Sequence, residues 1–244
     1  MHRFPQTNLQ LYRHLAEVGY AAADIASAGR AYELALELFP GTYRGSGKPF
    51  LAHLVGTAGI VAGLRARPAL IATGLLHAAY AHGEFGNGWR GISEAKRARV
   101  RDAVGMEIED LVTRYTTLRW GRAEIPLIQA RLDTMTTLER EVLLVRLANE
   151  LEDHLDLGIL YMADAERRLR FMRDDLPGAV EMAERLGYPS LAKDLTAAFE
   201  ETARAEVGPT LRRGDAESFR LPFASHRLRL RVAMSHLIAR DPWR

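Results

Sequence analysis

Apolar residues recur at spacings of three and four through almost the whole chain, a period that builds helices and leaves little room for sheet. The pattern predicts helices over Leu9–Val18, Ala21–Phe39, His53–Leu64, Leu127–Leu132, Leu138–Leu157, Ala165–Met172, Ala179–Leu186 and Leu191–Ala203. Helix punctuation falls between them: Gly19, Pro40-Gly41 and Gly187 follow apolar runs, and Pro68 opens one. The polar run Ile92–Val104 is amphipathic and is broken by Gly105. Gly83–Gly91 reads as a turn-rich loop. Strand-like alternation is sustained only in Arg227-Leu-Arg-Leu-Arg231, which equally fits a helix with Leu230, Met234, Leu237 and Ile238 on one face. We therefore expect an all-α, multi-helix domain over residues 1–204 and a basic helical C-terminal arm over 205–244.

The chain of 244 residues is long enough to bury a sizeable core. It has no cysteine, which removes disulfides, thiolate metal ligands and a cysteine nucleophile. Its apolar runs, such as Ile60–Leu64 and Ala69–Leu76, are too short or too interrupted to span a bilayer. The first residues lack the apolar stretch of a signal peptide, so a cytoplasmic location and no membrane partner are expected. Net charge is +2, but it is unevenly spread. From 205 onward, eight arginines meet four acids, giving +4 there and −2 elsewhere. Arginine stems covering the face of a last helix account for this without nucleic acid, whose recognised modules are missing from the pattern.

The chemistry concentrates in Tyr43-Arg-Gly-Ser-Gly-Lys-Pro-Phe-Leu-Ala-His53 and, one helix later, Leu75-Leu-His77-Ala-Ala-Tyr80. A basic glycine-containing loop runs into a helix bearing His53, and the next helix ends on His77. This order resembles the HD superfamily of helical metal-dependent phosphohydrolases, in particular the hydrolase domain of the alarmone (guanosine tetraphosphate) synthetase–hydrolases. The resemblance covers roughly residues 20–160 and implies an HD-like helical bundle. It also implies a divalent cation held by a histidine, a His-Asp pair and a distant aspartate, to polarise phosphate and activate water. The chain departs from that set: Ala78 follows His77, and Leu144-Val-Arg-Leu-Ala-Asn149 ends on an amide where the family has aspartate. The family's catalytic Glu-Asp pair corresponds to Ala81 and His82.

Alanine offers no donor atom and asparagine only a weak carbonyl, so no ordinary metal is expected. A rebuilt site of His53, His77, His82 and Glu84 would suit manganese, zinc or iron. The resemblance further implies that Arg44, Ser46 and Lys48 line a nucleotide, with His53, Asn149 and Asp153 completing the substrate pocket. Asp153 lies one helical turn after Asn149 and shares its face, whereas Glu150 and Glu152 are expected to face solvent. Each residue also has a plainer reading. His53 can simply bond a backbone carbonyl, and Arg44–Lys48 can be a solvated turn.

Three function classes follow. The favoured one is an HD-fold enzyme repurposed to work without metal, using His77, His82 and Glu84 as acid–base groups on a small polar or phosphorylated substrate. The others are a metal phosphohydrolase with altered ligands and a non-catalytic nucleotide-binding or scaffold protein. A homo-oligomer is compatible with all three.

Overall fold

The computed structural model describes residues 4–86, 88–212 and 218–221. Its helices are α1 (Asn8–Val18), α2 (Ala22–Leu38), α3 (Phe50–Gly63), α4 (Pro68–Leu76), α5 (Ala79–His82), α6 (Glu94–Val104), α7 (Met106–Thr117), α8 (Glu124–Arg131), α9 (Thr137–His154), α10 (Ala165–Asp175), α11 (Pro177–Arg185) and α12 (Pro189–Arg204). Two short strands, β1 (Thr42–Arg44) and β2 (Ser218–Arg220), and 3₁₀ turns at Leu132–Thr134, Leu155–Tyr161 and Pro209–Leu211 accompany them. This is the all-α architecture read from the sequence, with a small ribbon added.

Local chemistry sets the boundaries. Thr7 accepts from the Gln10 amide while Gln10 returns a bond to the cap, a reciprocal arrangement repeated by Thr136 and Glu139 at the start of α9. Ser93 caps α6. Proline opens α4, α11 and α12, where the missing N–H costs nothing. Gly19 ends α1 at φ 99°, a left-handed conformation that side chains resist.

The core is organised by α3. Every residue from His53 to Ala62 is buried, as befits a helix surrounded by others rather than lying on a surface. It packs against α4, α9 and α1, and α4 packs in turn against α2 and α7. The α3–α4 seam is close: a Cβ on Gly74 would stand 3.0 Å from Ala58 Cα and 3.1 Å from its nitrogen. That approach brings the end of α4 alongside the first turns of α3. Leu11, Leu34, Leu54, Leu75, Leu144 and Leu147 are all buried in this centre.

Two expectations need correction. The Arg44 loop contains a strand, because β1 pairs antiparallel with β2, Thr42 opposite Arg220, Tyr43 opposite Phe219 and Arg44 opposite Ser218. Tyr43 and Phe219 stack with ring centroids 5.4 Å apart. The segment after 204 was expected to be α-helical, but its described residues form a 3₁₀ turn, Pro209–Leu211, and β2. Aromatic stacking and backbone pairing with β1 outweigh local helix preference there. The arginine-rich run 227–231 and the rest of 222–244 lie outside the described residues. Among the described residues, no helix is long and apolar enough to cross a membrane.

Candidate functional site

Four elements converge on one buried corner. Helix α3 presents His53 from its first turns, α4 ends on His77, and the last turns of α9 carry Asn149, Glu152 and Asp153. Strand β1 and the turn after it carry Arg44, Ser46 and Lys48. That turn is closed by Arg44 N–H donating to the Lys48 carbonyl (2.8 Å), with Gly47 at φ 93°.

His53 and His77 are buried, and their Nε2 atoms lie 3.2 Å apart. His77 Nδ1 is 2.8 Å from the Gly74 carbonyl, which can only accept, so this nitrogen carries the proton and Nε2 is the acceptor. His53 Nε2–H then donates to His77, leaving His53 Nδ1 to accept from the Glu152 carboxyl. Burial agrees with this chain of uncharged groups. It holds both imidazoles well below the usual histidine range, helped by Arg44 beside His53 and by His53 beside His77. Burial likewise pushes Glu152 up to about 8, against the opposing pull of Lys48. For Asp153, burial is outweighed chiefly by the Arg44 guanidinium, with Arg146 adding to it, and its carboxyl is held below the ordinary range.

Glu152 corrects the sequence reading. It is 2% exposed and pairs with Lys48 and His53. Glu150, also expected in solvent, is 5% exposed and accepts from Trp120 Nε1 at 3.0 Å and from Arg146 Nη2 at 2.5 Å. Glu152, three residues after Asn149, shares its face by the helical period, and Glu150 is buried as well because α9 is covered on several sides by α3, α7 and α12. Arg44 bonds Asp153 and lies 3.4 Å from His53 Nε2. Ser46 has a turn role, accepting from Lys48 N–H at 3.4 Å.

The corner opens into a cleft of about 290 Å³ walled by His77, His82, Asn149 and Asp153 and by three arginines, Arg44, Arg146 and Arg168. A second cleft of about 590 Å³ shares Arg146, Asp153 and Arg168 with it and extends past Trp120 and Phe171. Arg146 and Arg168 were missed from the sequence. Arg146 was findable, since it precedes Asn149 by three and Asp153 by seven on one helix face. Arg168 was not. It reaches the site because the chain turns sharply after α9 at Asp156 and Leu157, both left-handed at φ 56° and 58°.

The proposed acid–base trio is divided. His82 borders the His77 cleft and its Nδ1 is 3.1 Å from Ser218 Oγ. Glu84 lies instead beneath β2, accepting from Arg220 and from the Gly86 amide, each at 2.8 Å. The rebuilt metal set of His53, His77, His82 and Glu84 is therefore not assembled. Among the described residues, the grouping with metal-ligand geometry is His53, Glu152 and Asp153, whose donor atoms lie within 4.8 Å of one another. Those residues do not fit a working divalent centre as they stand. Lys48 is on Glu152, Arg44 is on Asp153 and close to His53, and Ala78 supplies nothing. The Asn149 Oδ1 is buried without a hydrogen-bond partner, a lone neutral donor.

Residues 36–119 match a family described as a domain of unknown function, DUF6817. The chain is 26% identical over 166 residues to a GTP pyrophosphokinase of Streptomyces antibioticus. That match covers 68% of this chain but spans only 18% of the relative's length. Among solved structures it is similar to a metazoan ortholog of SpoT that hydrolyses ppGpp and plays a role in starvation responses. The TM-score is 0.50 at 14% identity, covering 72% of this chain and 95% of the other. The likeness extends across the fold, and this chain has the all-α, HD-domain-like architecture of that hydrolase.

Proposed function

We propose that this protein binds a guanine-nucleotide-class polyphosphate in the His77–Arg146–Asp153 cleft, without a resident divalent metal. The observation that carries this is the charge of the wall: three guanidinium groups against one carboxylate, beside the His77 imidazole that burial holds uncharged. Guanidinium forks match phosphate oxygens in geometry and charge. The larger adjoining cleft, with Trp120 and Phe171, offers room and aromatic surface for a base. The nucleotide class is supported by the relatives, one named for GTP and the other for ppGpp hydrolysis.

Acid–base turnover is the second reading, favoured by His82 standing on the same cleft as His77. Because His77 Nδ1 is committed to a carbonyl, His82 is the better proton carrier and His77 the orienting group. Glu84 plays no part in this version.

Calorimetric titration with GTP, ppGpp and pyrophosphate in chelator-treated buffer tests both. Micromolar binding is expected, weakened about tenfold or more by Arg146→Ala or Arg168→Ala. No binding of any of the three would reject the first reading. Phosphate or pyrophosphate release that disappears in His82→Ala but survives in Glu84→Gln would establish the second.

A further inference from the structure

Arg44 and Lys48 sit on a single five-residue stretch, yet between them they reach all three members of the buried His53–Glu152–Asp153 group. Lys48 Nζ is on Glu152 and lies 3.6 Å from Asp156, while Arg44 is on Asp153 and 3.4 Å from His53 Nε2. The donors beneath them lie within 4.8 Å of one another, close enough to gather round one cation once the Glu152–His53 hydrogen bond opens. Asp153 Oδ1 stands 3.7 Å from His53 Nδ1, close to the separation of neighbouring ligands around one ion, and Glu152 contacts the same nitrogen. Gly56 leaves the space for this, since a Cβ there would come 2.7 Å from Glu152 Oε1. Asn149 Oδ1, one turn before Asp153 on α9, is buried and unpartnered nearby.

We propose that Arg44 and Lys48 are a built-in replacement for a divalent ion, occupying a latent metal site formed by His53, Glu152 and Asp153. The ammonium and the guanidinium stand on the two acidic side chains where a dication would otherwise sit. This deepens the metal-free reading of the cleft and rests on it. The ammonium and guanidinium hold the carboxyl groups without offering the open coordination position that activates water. Such a centre can anchor an anion but has lost the metal's chemistry. The latent site is separable from its occupants, because the donors come from α3 and α9 and the cations from the turn alone.

The test is Co²⁺ binding by the full chain, followed by ligand-field absorption and elemental analysis. Wild type is expected to retain no stoichiometric Co²⁺. Arg44→Met/Lys48→Met is expected to take up stoichiometric Co²⁺ with nitrogen–oxygen ligand-field bands, lost again when Glu152→Gln is added. Should the double variant lose its helical circular dichroism, Arg44→Gln and Lys48→Gln singly carry the test, each gaining about tenfold in Co²⁺ affinity over wild type. Stoichiometric Co²⁺ in wild type that vanishes in His53→Gln would overturn the proposal, as would folded variants that gain no metal. Nucleotide titration of wild type separates the two conclusions. Metal gain without nucleotide binding rejects the ligand and keeps the latent site, whereas nucleotide binding without metal gain does the reverse.

Discussion

At Glu152, burial and ion pairing pull in opposite directions. Desolvation raises its pKa from 4.5 to about 8 although Lys48 is in contact. The folded state therefore holds a proton that the unfolded chain releases between those two values. Stability falls as pH rises through that window and levels off above it. His53 and His77 work at the other end: their lowered pKa values make the unfolded chain the better proton acceptor below 6.5, so stability is lost on acidification. Thermal unfolding of Glu152→Gln across this range should show the alkaline slope removed and the acid-side loss intact. An unchanged slope would mean that Glu152 is ionised in the fold. From sequence, His53, His77, Asn149 and Asp153 were legible because a loop-and-helix motif places them by order alone. Glu152 shares Asn149's face by its i+3 spacing, but its partners Lys48 and His53 come from other elements, so its burial and pairing were not legible.

At the scale of elements, the α3–α4 seam is the positioning device for His77. Gly74 both permits the approach to Ala58 and supplies the carbonyl that fixes the His77 tautomer. Gly74→Val should cost about 1–3 kcal/mol by forcing the helices apart. It should also weaken nucleotide binding by more than an equally destabilising change in α11, measured by denaturant unfolding beside calorimetry. Most helices were legible from periodicity, capping residues and prolines. The short strands were not, because three-residue alternation carries no signal and their pairing joins segments far apart in the chain. Their stacking contact is testable: Phe219→Ala removes the ring over Tyr43, worth about 0.5–1.5 kcal/mol. It should reduce ligand affinity by loosening the strand that carries Arg44, and hydrogen exchange at the Arg44 amide should quicken.

Across the whole molecule, a helical core holds the imidazoles and carboxyl groups, while Arg44 and Lys48, the cations set against them, arrive on a non-helical segment between α2 and α3. The ribbon that secures this part pairs Thr42 with Arg220 and Arg44 with Ser218. Its two halves are therefore made far apart in synthesis, Arg44 long before Ser218. A ribosome that has already delivered His53, His77 and Asp153 has delivered every helix of the corner, but Arg44 lacks its strand partner until residues near 220 emerge. Between those two moments the nascent protein exposes a nearly complete pocket with an unfastened rim, and the cleft takes its final form only once the second strand has emerged to pair with the first.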